Sequence, residues 1–203
     1  MTKQELLRKL RNHNFPQRII QAFQNVDREA FVLPEHRQYA YADMPLPIGE
    51  GQTISQPFTI AFMLNLLDIG KSQKILEVGS GSGYVLALIN EIAEDAEIYG
   101  TELLFQLVEI SKSALRTRGN IHIYHTPSSL GLSDKGPFDR ILVSAAANRL
   151  PPELISQLAD NGVIVAPVAN SILKAKKTGN DLTQEDYPGF SFVPLIENGS
   201  QSG

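Results

Sequence analysis

The chain has 203 residues, 42% of them hydrophobic, and a formal charge of −4. A chain of this length buries roughly 70% of the surface its unfolded form would expose, so one compact domain can stand without staples. With no cysteine there is no disulfide framework, thiolate nucleophile or Cys-ligated zinc site, and the four histidines (His13, His36, His122, His125) form no ligand pattern, so no metal is expected. Lys174, Lys176 and Lys177 are the densest basic group, too few to hold duplex nucleic acid. No stretch reaches the ~18 apolar residues of a membrane span, and the first residues carry no signal-peptide run. A soluble, cytoplasmic monomer without nucleic-acid or membrane partners is expected.

Apolar residues recur at helical spacing over residues 4–10 (Leu6, Leu7, Leu10) and 16–25 (Ile19, Ile20, Phe23), predicting two short helices, the second opened by Pro16. Residues 31–57 break into Pro34, Pro45, Pro47, Gly49, Gly51 and Pro57, which reads as a long irregular segment, and such segments often carry function. Within it, Gln52, Thr53, Ile54 and Ser55 read as neither helix nor alternating strand. After Pro57 a helix runs to Gly70. Strict alternation follows: strand 74–78, helix 84–92, strand 97–101, helix 103–118, strand 121–124, strand 138–143, helix 152–158 and strand 163–168. The tail predicts two more strands at 172–177 and 190–195, then a frayed end at 198–203. This order predicts an α/β fold with a doubly wound, mostly parallel Rossmann-like sheet and helices on both faces. We expect one domain over 1–203, a helical and irregular extension (1–57) on a core (58–203).

The turn after the first core strand reads Glu77-Val-Gly-Ser-Gly-Ser-Gly-Tyr84, so Gly79, Ser80, Gly81 and Gly83 let backbone and ligand approach closely beyond the strand ends. Glu102 ends the next strand, where a carboxylate can accept from both hydroxyls of a ribose. An NAD-binding chain would carry that acid too, but its loop would read G-x-G-x-x-G to seat a pyrophosphate. Here Glu77 stands two residues before the glycines and suits a cationic amino-acid moiety such as that of S-adenosylmethionine, which has no phosphate. The glycines also allow a purely packing role. Ser55, just before Pro57 and an apolar helix, fits either an active-site hydroxyl or a helix N-cap.

Taken in order, segments 28–31 (Arg-Glu-Ala-Phe), 41–48, 51–57 (Gly-Gln-Thr-Ile-Ser-Gln-Pro), 75–84, 137–141, Ala145-Ala146 and 192–195 (Phe-Val-Pro-Leu) resemble the protein-L-isoaspartate O-methyltransferase family. The Gln-Thr-Ile-Ser-Gln-Pro segment is the specific part, since many methyltransferases share the glycine loop. The resemblance implies transfer of a methyl group from S-adenosylmethionine to the free α-carboxylate of isoaspartyl residues in damaged peptides and proteins. The ester then closes to a succinimide whose hydrolysis returns some aspartyl linkage. It implies Ser55 and Thr53 at the catalytic positions, with Ser55, Val193, Pro194 and Leu195 at the acceptor. Gln52, Thr53, Ile54, Ser55, Glu77, Gly79, Ser80, Gly81, Gly83, Glu102, Thr126 and Pro127 would meet the cofactor.

The sequence departs from the family where Gly-Asp-Gly usually follows the third strand, for Thr126, Pro127 and Ser128 stand there instead. Ser128 or Ser129 is a candidate to replace the lost carboxylate. Ala169 stands where a glycine is usual, and Ser191 where a basic residue often precedes Phe192. A divergent member with weakened cofactor binding, acting on another acceptor or only binding, is the alternative. For substrate carboxylates the candidate cations are Arg28, Arg37, Arg140 and Arg149.

Overall fold

The computed structural model describes residues 1–195, so the expected fraying at 198–203 lies outside the described residues. Helix α1 (Lys3–Asn12) begins in a capping box, with the Thr2 side chain accepting from the Glu5 N–H and Glu5 accepting from the Thr2 N–H. Its apolar face, Leu6, Leu7 and Leu10, is buried together with Ile19, Ile20 and Phe23 of α2 (Gln17–Asn25). Between α2 and Pro57 the chain forms two 3-10 turns and then a hairpin, β1 (Leu46–Gly49) and β2 (Gln52–Ile54), where no strand was expected. The strands are short and β1 contains Pro47, which hid the pairing. Positive φ at both Glu50 (51°) and Gly51 (70°) is the turn geometry that matches hairpin twist.

Helix α3 (Pro57–Leu67) leads to the alternating core: β3 (Lys74–Val78), α4 (Tyr84–Ile92), β4 (Glu97–Glu102), α5 (Phe105–Leu115), β5 (Ile121–His125), β6 (Phe138–Val143), α6 (Pro152–Ser156), β7 (Leu158–Val168), β8 (Ser171–Thr178) and β9 (Asp181–Pro188). Of the last elements, β8 matches the expected strand at 172–177, while α6, β7 and β9 depart from expectation. β7 starts five residues early, at Leu158, and α6 is correspondingly shorter. Among the described residues the final strand is β9, whereas 190–195 runs without a ladder except for a bridge between Pro194 and Ala146. The polar stretch after β8 pairs because it folds straight back on it, with Lys174 opposite Glu185. Helix α5 is also shorter than expected at both ends, starting at Phe105 after a turn in which the N–H groups of Leu103 and Leu104 bond to the Glu102 side chain, and ending at Leu115. His122 and His125 both lie in β5.

The sheet order is β5-β4-β3-β6-β7-β8-β9, parallel from β5 to β7 and antiparallel beyond. Alternate strand residues feed two cores. Ile75, Ile98, Leu142 and Val165 face the side covered by α1 to α5. Leu76, Tyr99, Ile141 and Ile164 face the thinner side, closed by α6 and the segment holding Leu130 and Leu132. The chain reverses direction about β3, which is the place where open α/β sheets bind ligands.

Gly100 of β4 is the tightest point between sheet and helix: a Cβ there would stand 2.7 Å from Leu86 Cδ1 of α4 and 3.2 Å from Ser80 Cβ. Leu86 is fully buried and has nowhere to retreat. Gly100→Ala should therefore destabilise the fold by about 1 to 3 kcal/mol, seen as a lower urea midpoint at unchanged slope.

Candidate active site

Beyond the carboxyl ends of the parallel strands lies an open cleft, and beneath the hairpin a smaller pocket that shares Ile48, Thr53, Gly79, Gly81 and Ser144 with it. The turn after β3 supplies the floor. The N–H groups of Gly79 and Ser80 both donate to the Thr101 carbonyl, at 2.9 and 3.0 Å, which bends the loop back over β4. Gly79 and Gly81 have φ of 79° and 53° and line both spaces. A Cβ on Gly81 would lie 3.0 Å from Ile48 Cδ1, so the hairpin closes directly over the glycine loop. Gly83 lies outside both linings: its φ is 87°, and a Cβ would strike Leu115 Cδ1 at 2.8 Å, so here the packing of α4 on α5 demands glycine.

Glu102 is buried at the end of β4. Its Oε2 accepts from the Gly81 N–H at 2.8 Å, and its Oε1 from those of Leu103 and Leu104 at 2.8 and 3.0 Å. An anion satisfied by three fixed donors is held in one place, with acceptor lone pairs left over for a ligand. Glu77, on the neighbouring strand, is only 1% exposed. Ser144 Oγ donates to its Oε1 at 2.7 Å, while its Oε2 and the hydroxyl of Ser80 are buried without a partner. Desolvation raises the Glu77 carboxyl from about 4.5 to about 8 and the Glu102 charge adds to that, against the opposing hydrogen bond from Ser144.

The structure brings together nearly all of the residues singled out in the sequence. Gln52, Thr53, Glu102, Thr126, Pro127, Val193, Pro194 and Leu195 line the larger space. Ile54, Ser55, Glu77 and Ser80 line the smaller, and Thr53 belongs to both. Ser55 does not cap α3. Gln56 is the N-cap residue and makes no side-chain capping bond, while Asp43 accepts from the Phe58 N–H at 2.8 Å. Ser144 and Ile48 were missed, although Ser144 directly follows β6, where residues beyond the carboxyl end of a parallel strand meet ligand. None of the candidate arginines lines either space: Arg28 is wholly buried, and Arg140 is held by the Asp68 and Asp139 carbonyls.

Both linings lack Lys and Arg, which disfavours a phosphate, while Glu102 and Glu77, whose buried carboxyl an approaching cation would return to its charged form, favour a ligand with cationic ends. The partnerless Glu77 Oε2 and Ser80 Oγ fit such a group. Set at the reversal point of a parallel sheet, this chemistry is that of the class I S-adenosylmethionine-dependent methyltransferases. Residues 1–200 match the model of the protein-L-isoaspartate(D-aspartate) O-methyltransferase family, and the chain belongs to that family. A relative named protein-L-isoaspartate O-methyltransferase from Methanococcoides burtonii is 38% identical over 94% of this chain and 98% of its own. Another of that name from Methanothrix thermoacetophila is 40% identical over 97% and 95%. The fold is shared with a putative protein-L-isoaspartate O-methyltransferase from Plasmodium falciparum, solved with S-adenosyl-L-homocysteine, at a TM-score of 0.82 and 24% identity over 98% of this chain and all (100%) of that one. Among the described residues no helix is long and apolar enough to cross a membrane, and no group of acids and histidines could hold a metal ion.

A carboxyl whose folded pKa is raised contributes stability below its unfolded value and loses it as pH rises through the folded value. Glu77 should therefore make the protein progressively less stable between about pH 4.5 and pH 8. Urea midpoints across that range should fall in the native chain and fall less steeply in Glu77→Gln, which keeps an oxygen for Ser144.

Proposed function

We propose that this chain transfers a methyl group from S-adenosylmethionine to the free α-carboxylate of isoaspartyl residues in peptides and proteins, as a step in protein repair. The observation that carries this is the meeting of the Gln52–Ser55 segment and Val193–Leu195 around linked spaces that hold two acids and no basic side chain. When bound, S-adenosylmethionine supplies a methyl group on a sulfonium. Glu77, Ser80 and the glycine loop would hold its amino-acid end, and Glu102 its ribose. Thr126, Pro127, Ser129 and Leu130 would face the adenine.

An α-carboxyl titrates near ~3.5, so the acceptor arrives ionised at neutral pH and needs no general base. The protein has to orient it. Ser55, with Thr53 beside it, would donate to one carboxylate oxygen and aim the other, while Ile48, Val193 and Leu195 keep water from solvating the nucleophile. The extended Val193–Leu195 run is anchored from behind: the Ala146 N–H donates to the Val193 carbonyl at 2.7 Å, and the Leu195 N–H to the Ala146 carbonyl at 2.6 Å. That gives the acceptor side a rigid wall. The wider reading is one domain, with 1–57 as an extension on a core, working as a cytoplasmic monomer without nucleic acid or membrane; it is supported by a formal charge of −4 and by the packing of α2 on α4.

Calorimetry with S-adenosylmethionine, followed by assay on a matched isoaspartyl and aspartyl peptide, tests the proposal. Transfer to the isoaspartyl peptide alone is expected; transfer to both or neither would refute it. Ser55→Ala should lower turnover several-fold to about a hundredfold, the range for one hydrogen bond to a charged group, and leave cofactor affinity nearly unchanged. At the adenine end, Pro127→Asp should tighten cofactor binding by a factor in the same range, read by the same titration.

A further inference from the structure

Arg28 opens the 3-10 turn Arg28–Phe31 and is 0% exposed, an uncommon setting for a guanidinium. Its Nη2 donates to the Ser55 carbonyl at 3.0 Å and more weakly to the Met44 carbonyl at 3.4 Å. Those two residues lie just outside the two legs of the β1–β2 hairpin, so one side chain ties its base. The guanidinium carbon also stands 5.2 Å from the centroid of the Tyr84 ring, and Tyr84 is the first residue of α4, directly after the glycine loop. Arg28 thus spans the segment ending in Ser55 and the helix that follows the glycine loop.

This placement is costly. Arg28 Nε and Nη1 are buried without hydrogen-bond partners. Desolvation pulls the group down to about 10, offset in part by Tyr84 and by the charge of Asp43, so it remains a cation at neutral pH. Asp43 is itself held by Lys9 at 2.6 Å and by the Phe58 N–H. A buried cation with two idle donors is a poor source of stability, since a well-packed apolar side chain of similar volume often serves as well or better. What a hydrophobic replacement could not do is fix the Ser55 backbone relative to α4.

We propose that Arg28 is a positioning residue for methyl transfer, setting the direction of the Ser55 hydroxyl by holding the Ser55 carbonyl against Met44 and Tyr84. The inference rests on the role given to Ser55 in the proposed function. It predicts that Arg28 matters to turnover through Ser55, while cofactor affinity is left to other groups.

The test is a double-mutant cycle of Arg28→Met and Ser55→Ala, with Arg28→Lys as a second variant. Turnover on an isoaspartyl peptide, S-adenosylmethionine affinity by calorimetry and the urea midpoint are measured for each. Arg28→Met should stay folded, bind S-adenosylmethionine within about threefold of the native chain and lose about 10- to 100-fold in turnover, the scale of a misaligned reacting group. It should cost little more in the Ser55→Ala background, and Arg28→Lys should recover part of the loss. Fully multiplicative losses in the double variant, a parallel fall in cofactor affinity, or failure of both Arg28 variants to fold would each overturn the proposal and leave Arg28 as a packing residue. A native chain inert toward the peptide, or Ser55→Ala as active as native, would remove the proposed function and this inference with it; both results come from proteins in which Arg28 is intact.

Discussion

Three backbone N–H groups converge on the carboxylate of Glu102, and much of the cleft follows from that convergence. Gly81 belongs to the loop after β3, while Leu103 and Leu104 belong to the turn after β4, so a single side chain ties the ends of two adjacent strands. The glycine loop is held at one height above the sheet, and the turn leading into α5 is fixed with it. The same charge acts on Glu77 across the strand boundary and, with burial, favours the protonated acid there. Glu77 lines the smaller pocket, which the hairpin closes from above with Ile48, Thr53 and Ser55.

The hairpin is the second element on which the site depends, and its stability is borrowed. Two strands of three and four residues hold themselves together poorly. Here Ile48 presses on Gly81, Arg28 grips the base, and Asp43 takes up the first free N–H of α3. Phe23 and Phe31 pack on the Tyr84 ring, with centroids 6.1 and 5.4 Å apart, which carries the N-terminal segment into contact with the helix that follows the glycine loop.

At the far end of the cleft Pro127 lines the cavity, and the segment around it is shaped by Gln157, which accepts from the Leu132 N–H and donates to the Leu130 carbonyl. Thr126 and Ser129 line it too, and their hydroxyl groups can serve as donor or acceptor, where an ionised carboxylate could only accept.

Periodicity and turn chemistry alone determined the alternating core, because β3, α4 and β6 have the bounds that their apolar runs and flanking glycines dictate. The glycine loop, Glu77 and Glu102 were legible for the same reason: a close approach of backbone to ligand restricts the residue type at a fixed distance along the chain. Only the tertiary structure decided the hairpin, the pairing of β9 and the packing of Gly83 away from the cleft, since each depends on a partner that the local pattern does not show: Gly81 beneath Ile48 of β1, β8 for a polar strand with no apolar alternation, and Leu115 for Gly83. The same holds for Arg28. Sequence showed a cation beside a recognisable motif, and read it as a possible carboxylate ligand. Folding buried it, because its partners are carbonyls and an aromatic face that come together only when the extension closes on α4.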